Sequence, residues 1–271
     1  MKKRLLTLAS IVFLLFGSAM LIIPQISNVV GKQQAHAKVE EFENIKKEIS
    51  KANYNYFPNA EKDAQNNTKE KKAESNNYSQ PLTITYQNAY SEPVTYKIDI
   101  ARLYRDSIAY NENLKKNQYN LLINENSYKS ASLDLSKYGV MNYIYGYVSA
   151  PAIGMELPIY LGGNDYNMSI GAAHMTYTSL PIGGKDTNCV LAAHSGYIGR
   201  IFFDYIKNLN KGDTVKITNL WSVIDYKVTS KHIYKSYESS DCYISDNKDL
   251  LTLITCAHGG SERYYVICER I

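Results

Sequence analysis

The chain has 271 residues, of which 45% are hydrophobic and 21% are charged, and its formal net charge is +4 at pH 7. This is the balance of an ordinary globular protein with one or two domains, and the chain is long enough to bury a core. The charge is only mildly basic and no dense face of basic and aromatic residues stands out, which argues against nucleic acid as a partner.

The chain begins with the basic sequence MKKR, and an uncharged, mostly apolar run then starts at Leu5 and ends at Ile23, just before Pro24. A helix of this length rises about 30 Å, which is the thickness of the hydrocarbon layer of a membrane. We expect a single membrane anchor, with the basic residues in the cytoplasm and the rest of the chain outside the cell. A cleaved secretory signal is the competing interpretation, because AHA at residues 35–37 has the pattern of a cleavage site.

Four cysteines occur, Cys189, Cys242, Cys256 and Cys268. An exported chain permits disulfides. These cysteines are nevertheless sparse and unevenly spaced, and no C-x-x-C pair occurs among them. We therefore do not expect a disulfide framework.

Residues 25–80 are polar and repetitive in composition, which predicts a stalk or linker, with a charged helix in VEEFENIKKEISK from Val39 and a flexible spacer elsewhere. Over residues 81–142, the alternating segments LTITY and VTYKIDI predict a hairpin. Apolar residues at helical spacing predict a helix over 101–123. We expect this region to pack on or near the domain that follows.

From residue 143 onward the pattern changes to short β-like runs broken by Gly, Pro and Asn, which is typical of a barrel or a sandwich. The predicted strands cover residues 144–149, 156–160, 189–194, 214–218, 223–232, 250–255 and 263–269. A short helix is predicted from Phe202, in FFDYIKNL. The predicted fold class is mostly β, and residues 143–271 form the main predicted domain.

Cys256 ends a predicted strand where the flexible sequence AHGG begins, a position that can be rigidly held and still open to a substrate. A free thiol has a pKa of about 8.5, so it needs help to act as a nucleophile. A histidine can exchange a proton with it, and an arginine can stabilise the oxyanion formed when a carbonyl is attacked.

Strand alternation separates two of the remaining cysteines from such partners. It places Cys268 on the opposite face from Arg263, and Cys189 on the opposite face from His194. We therefore predict that Cys189 and Cys268 are small core residues.

The segment TLITC ending at Cys256, Arg263 on the next strand, and LAAHSG around His194 resemble the sortase family of Gram-positive surface transpeptidases. The segments YGYVSAPAIGMELPIYLG, TSLPIGGKDTNCVLAAHSG and FFDYIKNLNKGD also resemble that family, so the likeness covers nearly all of residues 143–271. The resemblance implies an eight-stranded β-barrel with short flanking helices, an N-terminal membrane anchor, and a catalytic set of His194, Cys256 and Arg263.

The resemblance also implies a chemistry. Cys256 would attack the carbonyl between Thr and Gly of an LPxTG-like sorting signal and form a thioester acyl-enzyme. His194 would move the protons, and Arg263 would orient the peptide and stabilise the oxyanion. The partners would be surface proteins or pilins, and an amine from a pilin lysine or a cell-wall cross-bridge would accept the acyl group. No cofactor or metal is expected.

Four further residues are candidates for the substrate groove: His258, Thr255, Ala193 and His174. His258 also fits an exposed loop histidine, and His174 also fits a packed or hydrogen-bonded one. Cys242 falls in the loop that walls the groove in the family.

The segments TSLPIGG and GVMNYIYGYVSAPAIG most resemble the corresponding sequences of the pilus-building class C sortases. The chain departs from them in three ways: SYKSASLDLSKYG replaces the Asp-Pro-aromatic lid motif, an Arg expected shortly after His194 is absent, and no second apolar segment precedes Ile271. Pilin polymerisation and cell-wall anchoring both stay open.

Three competing hypotheses for the function remain. They are a hydrolytic cysteine protease, an inactive relative that only binds, and a zinc module using His194, Cys256 and His258.

Overall fold

The computed structural model describes residues 2–51, 81–88, 92–122, 127–196, 199, 202–238 and 240–271. Within them the helices are α1 (Lys2–Lys51), α2 (Ile100–Leu122) and α3 (Asp165–Ile170). The first strands are β1 (Leu82–Gln87), β2 (Pro93–Ile98), β3 (Ile144–Ala150), β4 (Met155–Leu161) and β5 (Ala172–His174). The remaining strands are β6 (Thr187–Ala192), β7 (Thr214–Asn219), β8 (Val223–Lys235), β9 (Asp249–Ala257) and β10 (Glu262–Arg270).

Strands β3 to β10 form a closed barrel in the order β10-β8-β7-β3-β4-β5-β6-β9. The pairs β4–β5 and β6–β9 are parallel, and the other neighbours are antiparallel. Closure gives each of these eight strands two neighbours, so the barrel has no open edge. The eight-stranded barrel is the fold that the resemblance to the sortase family implied.

Alternation along the strands divides the barrel side chains between an interior core and an outer face. Leu251, Leu253 and Val266 lie in the interior core together with Cys189 and Cys268. A separate set on the outer face, the outer cluster, consists of Val190, Cys242, Leu250, Ile254, Tyr265 and Ile267. The prediction that Cys189 and Cys268 are core residues is confirmed.

The predicted hairpin is present as β1 and β2, which pair antiparallel. Helix α2 begins one residue before its predicted start, and the Asp99 carboxylate accepts a hydrogen bond from Arg102 N at 3.0 Å. Such a side-chain cap satisfies a donor at the first turn of the helix. A second hydrophobic cluster, which includes Ile98, Leu103 and Tyr145, joins the hairpin and α2 to the barrel.

Helix α1 differs from the predicted stalk, because it continues through Pro24 and its second half packs on the hairpin and on β4. The buried residues Ala35, Val39, Phe42, Ile45 and Ile49 recur every three or four positions and therefore line one face of the helix. The charged residues between them suggested a solvated helix, but most of them occupy its other faces, and the buried Glu41 accepts a hydrogen bond from the hydroxyl of Tyr86 at 3.1 Å.

Within α1, the stretch over residues 10–30 is mostly apolar and largely exposed, and it is long enough to cross a membrane.

Smaller differences occur around the barrel. Strand β5 and helix α3 were not predicted, because the three residues of β5 are too short to show a pattern. The helix predicted from Phe202 is only a 3₁₀ turn over Ile206–Asn208. Strand β6 begins before its predicted start and ends at Ala192, so His194 lies just beyond it.

Candidate active site

Cys256 and Arg263 are directly opposite each other on the antiparallel strands β9 and β10. Opposed residues in an antiparallel pair have Cα atoms about 4.5 to 5.5 Å apart, with side chains on the same face. Ile254 and Tyr265, the next residues on that face, both belong to the outer cluster, so the thiol and the guanidinium lie on the outer face of the barrel. Cys256 is exposed at the end of its strand.

His194 follows the end of β6, which runs parallel to β9 with Ala192 beside Ile254. The two segments stay together past this pair: Ala193 N donates to Ile254 O at 3.3 Å, and Ser195 Oγ donates to Cys256 O at 3.0 Å. Counted on from this register, His194 is level with Cys256, and continued alternation would put its side chain on the face of Val190. The fold thus brings the three predicted catalytic residues to one end of the barrel, two of them on paired strands and His194 two residues beyond the end of β6.

The guanidinium of Arg263 is held at one end by its own hairpin. Nη1 donates to Gly260 O at 2.8 Å and to Glu262 O at 3.0 Å. These bonds employ both hydrogens of Nη1, and Nε and Nη2 carry three more. Arg263 therefore has a fixed position and further donors on the side of the guanidinium away from these carbonyls.

His258 lies in the tight turn between β9 and β10 and has a positive φ of 46°. Its Nδ1 contacts the Glu262 carboxylate, which also accepts a hydrogen bond from Lys235 Nζ at 2.8 Å. These two partners lower the pKa of Glu262, Lys235 first and His258 second. The side chain of His258 is exposed, and it points to a carboxylate of its own hairpin.

His174 is completely buried. Its Nε2 faces the carbonyls of Thr178 and Ser179 at 3.2 and 3.0 Å, and its Nδ1 lies 3.0 Å from Ser132 Oγ. A nitrogen between two acceptors must carry the hydrogen, so the hydroxyl of Ser132 donates to Nδ1. Burial lowers the pKa of His174 to about 4, and the ring is neutral at pH 7.

Ala193 and Thr255 are also buried, and Thr255 Oγ1 donates to Ala193 O at 2.8 Å. This bond ties the segment that carries His194 to the strand that carries Cys256. Thr255 and Ala193 thus lie in the buried layer beneath the site, whereas Cys256 is open to solvent.

The four cysteines are unpaired, and the three besides Cys256 are buried. Burial raises the pKa of the thiols of Cys242 and Cys268 to about 12 and raises that of Cys189 well above its usual value. A thiol in such surroundings stays protonated and is a poor nucleophile. Cys256 is thus the cysteine whose setting suits chemistry.

A cavity of about 1040 Å³ lies elsewhere, between α1 and the segment before β3, where Leu133, Met141 and Tyr160 are part of its lining. None of the three predicted catalytic residues lines it. No group of three or more His, Cys, Asp or Glu side chains suited to a metal ion occurs in the described part of the chain.

Residues that hold the surroundings of the site in place were missed by sequence reasoning. Asn188 and Thr252 are buried polar residues inside strands of the barrel, and Gln118 lies in α2, far from the motifs. Glu262 adjoins Arg263, but nothing in the sequence showed that it would pair with His258. The one signal available in the sequence for such residues was a polar side chain at a strand position predicted to be buried.

The closed barrel, with a cysteine, a histidine and an arginine at neighbouring strand ends, defines a β-barrel protein with a candidate cysteine-nucleophile site. The family model described as a sortase domain matches residues 148–271. Residues 148–271, a little under half of the chain, therefore form a domain of the sortase family.

Among curated proteins, Sortase A of Listeria monocytogenes serovar 1/2a is 29% identical over an alignment of 150 residues that covers 49% of this chain and 65% of that protein. Sortase A of Bacillus anthracis is 30% identical over an alignment of 141 residues that covers 51% of this chain and 61% of that protein. The chain thus spans less than two thirds of the length of these curated relatives.

Solved structures of class C sortases have the same fold. Sortase C2 of pilus island 1 of group B Streptococcus matches with a TM-score of 0.54 and 30% identity, over 64% of this chain and 97% of that one. Sortase C-1 of Actinomyces oris matches with a TM-score of 0.52 and 29% identity, over 64% of this chain and 98% of that one.

Proposed function

We propose that this protein is a cysteine transpeptidase that cleaves an LPxTG-like sorting signal and transfers the acyl part to an amine. The main support is the strand register, which sets Cys256 opposite Arg263 and beside the segment of His194. Membership of the sortase family supports the same reaction. We propose Cys256 as the nucleophile, His194 as the general acid and base, and Arg263 as the oxyanion-stabilising group.

In the first half of the reaction, the sulfur of Cys256 attacks the Thr carbonyl of the signal. An S–C bond forms, the Thr–Gly C–N bond breaks, and His194 gives a proton to the departing amine. In the second half an incoming amine attacks the thioester and loses a proton to His194, and the sulfur leaves. The guanidinium of Arg263 faces the negative oxygen that develops in both tetrahedral intermediates.

We propose that α1 is the membrane anchor and that the catalytic domain lies outside the cell. The exposed apolar half of α1 and the basic residues before it support this orientation. The substrates would then be surface proteins or pilins. The acceptor would be a pilin lysine or a cell-wall cross-bridge amine: the similarity to class C structures favours the first, and that to Sortase A proteins favours the second.

The test is to incubate the full chain in detergent with a library of sorting-signal peptides, with and without triglycine. Mass spectrometry should detect a thioester adduct on Cys256, and added triglycine should yield a new amide. A peptide acid as the product in both cases would favour a hydrolytic cysteine protease. No adduct with any peptide would favour an inactive relative that only binds.

A further inference from the structure

A short segment, residues 240–244, covers part of the outer face beside the candidate site, and we call it the wall segment. Its Cys242 is buried in the outer cluster with Ile254 and Tyr265. Ile254 precedes Cys256 by two residues on the same face, and Tyr265 follows Arg263 by two. The wall segment therefore packs against the strand positions next to the proposed nucleophile and cation.

The barrel holds the wall segment through two buried polar side chains. Asn188 Nδ2 donates to Asp241 O at 2.8 Å and to Tyr243 O at 3.0 Å. Thr252 Oγ1 lies 3.2 Å from Asp241 O and 3.0 Å from Asn188 Oδ1. These contacts account for the first and third of the consecutive carbonyls from Asp241 to Tyr243.

The middle carbonyl is bound from outside the barrel, by Gln118 of α2. Gln118 Nε2 donates to Cys242 O at 3.3 Å, and Ile244 N donates to Gln118 Oε1 at 2.7 Å. The side chain of Gln118 is buried, with 6% of its surface exposed. A buried amide whose donor and acceptor both engage one backbone segment fixes that segment in position and direction.

The same amide reaches a second loop. Gln118 Nε2 also donates to Tyr177 O at 3.1 Å, and Tyr177 N donates to the hydroxyl of Tyr110, again on α2, at 2.8 Å. Tyr177 has a positive φ of 66°, which a residue with a side chain seldom adopts. Two residues of α2 thus hold this turn and the wall segment in a fixed relation to each other.

We propose that Gln118 is a positioning residue for substrate binding: it locks the wall segment against the outer cluster, so that the groove beside Cys256 has one shape. This inference rests on the proposed function for its consequence in catalysis. Gln118 lies before residues 148–271, which match the sortase domain, so a helix outside that domain would shape the groove. Because Gln118 acts on the backbone of the wall segment and not on the reacting atoms, its loss should raise KM far more than it lowers kcat.

The experiment compares the full chain in detergent with its Gln118→Met variant, which keeps the length of the side chain and removes its three hydrogen bonds. Asn120→Met is the control, because Asn120 is an exposed amide on the same helix and donates to Asn117 within that helix. Each protein is treated with iodoacetamide, and alkylation of every cysteine is followed by mass spectrometry. Cys242 is the reporter of the wall segment, and the core thiols of Cys189 and Cys268 report global unfolding.

In Gln118→Met, Cys242 should be alkylated at least about tenfold faster than in the unchanged chain, which corresponds to about 1.4 kcal/mol. Alkylation of Cys189 and Cys268 should be unchanged in this variant, and Asn120→Met should behave like the unchanged chain. A protected Cys242 in Gln118→Met, or equal acceleration at all the buried cysteines, would overturn the positioning role.

Turnover of a quenched fluorescent LPxTG peptide with triglycine supplies the second readout. KM should rise about tenfold in Gln118→Met, with kcat within about twofold. An exposed Cys242 with an unchanged KM would refute the link between the wall segment and substrate binding. Absence of turnover in the unchanged chain would contradict the proposed function, while the alkylation rates would still decide whether Gln118 holds the wall segment.

Discussion

Replacing Arg263 by lysine separates charge from geometry at the proposed site. Both hydrogens of Arg263 Nη1 donate to Gly260 O and Glu262 O, which leaves Nε and Nη2 to face a developing oxyanion. A lysine keeps the charge, but its single ammonium cannot serve the two carbonyls and the oxyanion in the same geometry. Loss of one oxyanion donor costs about 3 to 4 kcal/mol in the transition state, which is about 10² to 10³ in kcat.

The assay is steady-state cleavage of the fluorescent LPxTG peptide in the presence of triglycine. Arg263→Lys should reduce kcat by about 10² to 10³ with a smaller effect on KM. Arg270→Lys is the matched control, because Arg270 lies on the same strand and pairs with Asp249 at 3.2 Å, far from Cys256. Arg263→Lys with activity within about threefold of the unchanged chain would remove Arg263 from the mechanism.

Two more predictions concern single side chains, the exposed thiol of Cys256 and the buried ring of His174. Cys256→Ala should abolish the thioester adduct seen by mass spectrometry, whereas Cys268→Ala should leave it nearly intact; equal loss in both would mean that Cys256 is not the nucleophile. The pKa of His174 is lowered from 6.5 to about 4, so its stabilising effect is complete above pH 6.5 and is lost as the pH falls towards 4. Thermal unfolding should show about 2 kcal/mol less stability at pH 5 than at pH 7, with a smaller difference in His174→Gln; the same pH dependence in both proteins would contradict this assignment.

Much of the barrel could be predicted from the sequence, because its strands alternate clearly and are separated by turn residues. The face of the sheet on which Cys268 and Cys189 lie followed from strand alternation alone, and both residues lie in the core. The short strand β5 could not be predicted, since three residues carry no periodicity. Its place depends on pairing with β4 and β6, which are distant in sequence or separated by a helix.

The docking of α1 was missed for a different reason. Its buried positions recur at helical spacing, but charged residues such as Glu40 and Lys47 stand between them and dominate the composition. Composition averages over the faces of a helix, whereas packing depends on one face only. A periodicity count over residues 35–49 would have indicated a buried stripe.

The site itself could be assembled from motifs, but its surroundings could not. Recognisable sequence motifs at or next to strand ends contain Cys256, His194 and Arg263. The register of the barrel strands brings those ends together. Gln118 belongs to no recognisable sequence motif. Its proposed role depends on two backbone carbonyls and one backbone amide in loops more than 50 residues away in sequence. Side chains that bond backbone groups leave no pattern in the partner's sequence, because every residue except proline offers the same donor and acceptor. For this reason the candidate nucleophile could be proposed from the sequence, whereas the contacts of the wall segment became visible only in the folded chain.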